Sequence, residues 1–328
     1  MKPACRPQLE HAITATMSYF DLMEFPLTAG ELQRWLWQHT TTPAELTAAL
    51  ATHPHITHTD GFYHLKNRSH LVPLRLARYG LTETKLRKRH HYLRWLATLP
   101  HVQAILISDS IGLHNARVSS DIDIAIITTE HKIWSTRFWA AFPAQTLGLR
   151  PKILPTGQLH KRDKICLCFY TTTAHLNLQN ERITTPDIDF VYWLASMFPI
   201  YDRDHTYEKF IKANAWLRDF LPNFTPFEPS PARTITPFTA HALQTFVRTL
   251  SPETALKNLQ KKILHPRLRE LAAQTDSRVI IQDDMLKLHM NDTRLDMQKQ
   301  WQEKMPAIDA PAENSTLKPP QPAAHPNK

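Results

Sequence analysis

Two aspartates one residue apart, Asp121 and Asp123, stand at the head of an apolar run that continues through Ile124–Ile127. Side chains in a strand repeat every two residues, so both carboxylates fall on one face while Ile122 and Ile124 take the other. Carboxylates held that close repel each other unless a cation sits between them. Their chemical use is to hold Mg²⁺, a hard ion that keeps waters and substrate phosphates in the rest of its shell. Two such ions stabilise both the attacking and the leaving oxygen in phosphoryl or nucleotidyl transfer. Upstream, Val102–Ile107 reads as a buried strand running into a turn at Ser108-Asp109-Ser110, and Asn115 and Ser120 lie between that turn and the carboxylate pair.

The rest of the chain bounds what surrounds this pair. Its 328 residues, 42% hydrophobic and 21% charged, describe a globular protein of two or three domains rather than a disordered chain. No apolar stretch approaches the roughly 20 residues of a membrane helix, and no apolar region of signal-peptide type follows the N-terminus. A cytoplasmic protein without membrane contact is expected. The six glycines, at 30, 61, 80, 112, 148 and 157, build neither a dinucleotide-binding fingerprint nor a P-loop. A net charge of +9 favours polyanionic partners such as nucleotides or nucleic acid. Of the three cysteines, Cys5 stands alone. Cys166 and Cys168, two apart in an expected strand, are assigned to opposite faces, and no zinc spacing is read from them or from the scattered histidines.

The elements that must position the pair follow from patterning. Residues 1–78 read as three helices and a hairpin, a winged-helix-like domain. Thr28-Ala-Gly-Glu31 and Thr42-Pro-Ala-Glu45 are capping boxes, and Asp60-Gly61 turns a hairpin between Ile56–Thr59 and Phe62–Leu65. The helix that would enter a DNA groove, about 43–53, carries Glu45 and neither Lys nor Arg, though Lys66 and Arg68 flank the hairpin. Residues 81–99 read as one basic amphipathic helix, a docking strip for nucleic acid or a triphosphate tail. Residues 79–183 form the αβ core with a short mixed sheet. Residues 184–304 read as helical, with segments at 185–197, 207–220, 239–250, 252–264 behind a Ser251 cap, and 285–301. The proline-rich stretch 305–328 is expected to be disordered.

The turn and the Asp-x-Asp strand together resemble the polymerase-β-type nucleotidyltransferase superfamily. Its signature is a Gly-Ser turn followed by an Asp-x-Asp strand, with a helix N-terminus that cradles the triphosphate. Ser110 matches the signature serine, and Asp121 with Asp123 match the metal-binding pair. Other segments also look like a largely uncharacterised prokaryotic family joining a winged-helix-like N-terminus to a nucleotidyltransferase domain. These are Phe25-Pro-Leu-Thr28, Trp35-Leu-Trp37, Gly61-Phe-Tyr63, Asn115-Ala116, Ser120–Asp123, Trp134 with Arg137, Lys164–Leu167, Ala213–Trp216 and Leu221-Pro-Asn223.

The resemblance implies an α+β fold, a nucleoside triphosphate as ligand and Mg²⁺ as cofactor. Asp121 and Asp123 would be metal-holding and catalytic, and Ser108, Asp109, Ser110, Asn115 and Ser120 would line the phosphates. The acceptor stays unassigned. Two departures matter. Asp109 replaces the signature glycine and sets a charge beside the triphosphate, where repulsion at about 4 Å amounts to roughly 1 to 4 kcal/mol. The later strand, which in working members carries a third acid, holds Cys166 and Cys168 instead. Asp163, between Arg162 and Lys164, reads as a solvated turn, and Asp187 and Asp189 as helix-start residues. Three functions remain open: a nucleotidyltransferase, a non-catalytic sensor or interaction module on the same fold, and a winged-helix DNA-binding regulator.

Overall fold

The computed structural model describes residues 6–153, 159–274, 277–289 and 292–309. The chain begins with α1 (Arg6–Leu22), whose Leu9, Ile13, Met17 and Phe20 are buried. There follow β1 (Leu27–Thr28), α2 (Ala29–Arg34), α3 (Pro43–Ala51) and a hairpin of β2 (Ile56–Thr59) with β3 (Phe62–Leu65). Both capping boxes form: Glu31 N–H donates to Thr28 Oγ1 at 3.2 Å and Glu45 N–H to Thr42 Oγ1 at 3.3 Å, with each glutamate returning the bond to the cap backbone. Asp60 and Gly61 both take positive φ, 50° and 82°, which suits a tight hairpin turn. Strand β1 adds to the far side of β3, giving the order β1-β3-β2. The outer face of α3 presents Pro43, Ala44, Glu45, Thr47 and Ala48, none of them cationic.

The single helix expected over 81–99 is two. α4 (Leu71–Lys88) ends and α5 (His90–Thr98) begins at Arg89, which leaves helical geometry at φ −106° and ψ 7°. The break allows α4 to reach a distant loop, through Arg89 Nε to Asp163 O at 2.6 Å, while α5 turns Leu93 and Leu96 onto the sheet.

That sheet has six strands: β4 (Val102–Ile107), β5 (Ile122–Thr128), β8 (Ile165–Thr172), β9 (Phe198–Asp202), β10 (Val279–Ile281) and β11 (Met285–Leu288), in the order β10-β11-β8-β5-β4-β9. Only β5 and β8 run parallel; the other pairs are antiparallel. A two-residue pair, β6 (Lys152–Ile153) with β7 (Leu159–His160), lies apart. The short α6 (Asp109–Gly112) follows β4, and α7 (Ile133–Thr146) follows β5. Both faces are covered. Ile105, Ile124 and Ile126 pack toward α5 and α7, while Ala104, Ala125 and Phe169 share a core with α1 and with α8 (Ile188–Ala195).

The later chain departs from the helical expectation. Residues 207–220 form α9 (Thr206–Ala213) and α10 (Leu217–Phe220) rather than one helix. α11 (His241–Thr249) and α12 (Glu253–Ile263) stand where helices are expected, but Pro252, not Ser251, occupies the α12 cap. Ser251 instead donates to Val247 O and accepts from Trp139 Nε1. After α13 (Pro266–Ala272), the stretch expected as a helix over 285–301 splits into β11 and α14 (Arg294–Asp309). The C-terminal part is therefore not purely helical: β9, β10 and β11 complete the sheet. The edges of β4 and β8 carry backbone N–H and C=O groups that must be paired, and that demand outweighs local pattern in segments of three to five residues. α14 runs past the expected 304/305 boundary, and the remainder of the 305–328 tail lies outside the described residues, as does Cys5.

α14 closes the molecule against α1, with Trp301 buried and its Nε1–H donating to Ala15 O at 2.8 Å. Trp301→Ala is expected to cost roughly 3–5 kcal/mol in urea unfolding, by cavity formation and an orphaned carbonyl. A loss below about 1 kcal/mol would mean that α14 does not dock here.

Candidate functional site

Strand β4 delivers the chain to Ser108, the residue that caps α6, and β5 begins alongside with Ser108 N–H donating to Asp123 O at 3.1 Å. The two strand ends thus meet at one cavity of about 1000 Å³, lined by Asp109, Asp121 and Asp123 among others. That size lies at the upper end of the range for small-molecule sites. Asp121 and Asp123 share a face, as their spacing dictates.

Asp109 sits at φ +54°, a left-handed backbone that strongly favours glycine. Its carboxylate is held by Trp193 Nε1–H at 3.0 Å and by Ser108 Oγ at 3.3 Å. Three residues on, a Cβ at Gly112 would stand 3.3 Å from Ser196 O, so glycine there permits α6 to lie against α8.

The other expected phosphate contacts are occupied in the turn itself, and of that group only Asp109 lines the cavity. Ser110 Oγ donates to Ser120 Oγ at 3.2 Å, and Ser120 Oγ accepts from Arg117 N–H at 3.0 Å. Asn115 is buried. Its Nδ2 donates to Met23 O at 2.8 Å and its Oδ1 accepts from Arg78 Nη1 at 3.0 Å, so it ties the turn to the N-terminal elements. Sequence spacing places these residues near the carboxylates but cannot say where a side chain of one or two rotatable bonds finds its partner.

The loop before Asp121 is fixed by a buried lysine. Lys85 Nζ donates to Val118 O at 3.0 Å, Ser120 O at 2.9 Å and Asp163 Oδ1 at 2.6 Å. Lys88 Nζ binds the other Asp163 oxygen at 2.6 Å. Asp163 is therefore not a solvated turn residue: the hydrogen bonds from Lys85 and Lys88 outweigh its partial burial and bring its carboxyl down to about 2. These contacts turn Lys85, Lys88 and Arg89 of the expected nucleic-acid strip toward this one loop.

Electrostatically the cavity is crowded. Burial, then the neighbouring charges of Asp109 and Asp121, push Asp123 well above the usual carboxylate range. Burial raises Asp121 as well, against the pull of Lys161 at 3.6 Å. Cations stand around them: Arg137, Arg150, Lys152, Lys161, Lys287 and Arg294 line the same space. Arg137 is buried, with Nη1 on Gln260 Oε1 at 2.6 Å and an Nε that has no partner among the described residues. Lys287 and Arg294 converge on Asp292, at 3.0 and 2.9 Å.

Four contributors are not read as site residues from the sequence. Asp187 caps α8 as expected, accepting from Phe190 N–H at 3.2 Å, but Asp189 lines the cavity and accepts from Tyr19 O–H at 2.8 Å. Burial, opposed by that bond, brings its carboxyl up to about 6. Cys166 and Cys168 lie on one face of β8, not opposite faces, with their sulfurs 2.9 Å apart. The period of two that pairs Asp121 with Asp123 pairs them equally, and that signal was present in the sequence. His289 reaches the same point from the end of β11, with Nε2 4.0 Å from Cys166 Sγ. Nothing in the sequence foretold it, because β11 itself was expected as helix. Cys168 is drawn well below the usual thiol range by the Cys166 hydrogen bond and by His289.

No family model, curated protein or solved structure matches this chain. No helix among the described residues is long and apolar enough to cross a membrane.

Two outcomes are expected from this geometry. Lys85→Met strands two carbonyls and Asp163, and should cost roughly 2–4 kcal/mol in chemical denaturation; an unchanged midpoint would mean the loop is held otherwise. For Asp189, a raised native carboxyl keeps its proton where the unfolded chain has already lost it, so it lowers stability as pH rises from about 4 toward 6. Asp189→Asn should therefore melt higher than the parent above pH 6, with the difference gone below about pH 4. A difference that is independent of pH would refute the assignment.

Proposed function

We propose that the cavity binds a Mg²⁺–nucleoside triphosphate in the manner of polymerase-β-type nucleotidyltransferases and transfers the nucleotidyl group to an acceptor. The observation that carries this reading is the pair Asp121 and Asp123, side by side at the head of β5 and facing a cation-ringed cavity of about 1000 Å³. The donor set suits the metal, since hard carboxylate oxygens take Mg²⁺ and leave coordination places for waters and phosphates. Bound there, the ion would offset the charge that Asp109, Asp121 and Asp123 share and polarise the phosphoryl oxygens. Arg137, Arg150, Lys152 and Lys161 supply the counter-charge for a triphosphate tail. Asp189, with its carboxyl at about 6, is suited to accept the proton of an attacking hydroxyl.

The order of α1, β1, α2, α3 and the β2–β3 hairpin fits a winged-helix-like module. We read it as a packing and contact module, because α3 shows no cation outward and Arg68 is paired with Asp21 at 2.9 Å. A second reading keeps nucleotide binding without transfer, as a sensor. It is favoured by Asp109 at the signature glycine and by Cys166 opposite Asp123 on the later strand, where the resemblance implies an acid that activates the attacking hydroxyl.

The test is a thermal-shift panel with ATP, CTP, GTP and UTP, with and without Mg²⁺, on the protein and on Asp121→Ala/Asp123→Ala. Ligand at about 100 times its dissociation constant should add roughly 2.7 kcal/mol, a shift of several degrees that needs Mg²⁺ and vanishes in the double variant. No shift with any nucleotide would defeat both readings. A shift without pyrophosphate release across a panel of hydroxyl acceptors would select the sensor.

A further inference from the structure

We infer that Cys166, Cys168 and His289 form a binding site for a soft divalent transition metal of the zinc class in the wall of the carboxylate cavity. The inference goes beyond the nucleotide reading and does not rest on it. One ligand atom from each residue lies within 4.8 Å of the others. A tetrahedral ion with bonds of about 2.3 Å to sulfur and 2.0–2.1 Å to nitrogen sets its ligands roughly 3.3–3.8 Å apart. The observed separations, 2.9 Å between the sulfurs and 4.0 Å from Cys166 Sγ to His289 Nε2, bracket that span, so side-chain rotation suffices to close it.

The backbone favours such a site. β8 pairs with β5 along its length and with β11 at Phe169–Thr171, so the two thiols sit at the start of a paired strand, just beyond the β11 ladder. His289 directly follows β11, so the same ladder that completes the sheet delivers the third ligand. Cys166 is buried, Cys168 and His289 are partly exposed, and all three line the cavity, which leaves an entry path and a position for a fourth ligand. Asp123, opposite Cys166 in the β5–β8 register, groups with Asp121 and Cys166 rather than with Cys168 and His289, so the fourth place is left to water or substrate. Three protein ligands with a fourth place that water or substrate can take is the arrangement of reactive rather than structural zinc sites. Ligand softness sorts the ions: thiolate sulfur selects zinc-like metals and has little affinity for Mg²⁺, whereas Asp121 with Asp123 prefer the hard ion. The thiols release their protons to solvent as the metal binds.

The test uses the full chain, reduced and stripped by chelator, titrated with Co²⁺ as a spectroscopic stand-in for zinc. The expected result is a thiolate-to-cobalt charge-transfer band that saturates at one ion per chain, is displaced by Zn²⁺ and is absent in Cys166→Ser/Cys168→Ser. No band at excess Co²⁺, or an unchanged band in the double variant, overturns the proposal. Should that variant fail to fold, alkylation of the parent decides: Zn²⁺ should shield the partly exposed Cys168 from iodoacetamide at least roughly tenfold, and Mg²⁺ should not. Equal labelling with and without Zn²⁺ also overturns it. Neither experiment contains nucleotide, so its outcome is separable from that of the triphosphate panel.

Discussion

Negative charge confined at the end of a sheet is the constraint around which this molecule is arranged. Asp109, Asp121 and Asp123 reach one cavity, and burial together with neighbouring negative charge disfavours ionising Asp121 and Asp123. Such an arrangement costs stability and persists only when the surrounding structure determines it and a cation or a partner offsets it. Much of the fold does one or the other. Trp193 restrains the Asp109 carboxylate, Lys161 stands 3.6 Å from Asp121, and Lys85 clamps the loop from which β5 starts.

The clamp also explains why distant segments converge. Arg78 reaches both Asn115 and Glu24, so the turn beside the cavity is braced on the N-terminal elements. Arg75 lies over the Phe25 ring at 3.4 Å and pairs with Glu31 at 2.6 Å. Asn223 bonds both His39 O and Thr41 N, and Asn214 holds Leu178 N and Leu176 O. Asn115, Asn214 and Asn223 are side-chain amides that join one part of the chain to another. Buried amides of this kind need every bond satisfied, so few substitutions are tolerated there.

Part of the basic helix takes part in the same bracing. Lys85, Lys88 and Arg89 read as a cationic strip in a helical projection, yet each is turned to Asp163 or its loop. A count of charges registers an excess; only the partner list separates a docking surface from internal bracing.

What the sequence determined by itself is whatever depends on neighbours a few residues away. The capping boxes at Thr28 and Thr42, the Asp60-Gly61 hairpin, the strands at 102–107 and 122–128 and the shared face of Asp121 and Asp123 all follow from period and local hydrogen bonding. The Cys166–Cys168 face was equally legible by that rule, although it was assigned the wrong way. The tertiary structure decided what depends on distant partners. It made strands of 279–281 and 285–288, because the edge of β8 needed hydrogen bonds that no local pattern records. It broke the basic helix at Arg89 and turned Lys85 inward to an aspartate far along the chain. It also carried Asp189 and His289 to the cavity wall, because strand pairing and helix packing, not sequence proximity, fix which side chains meet.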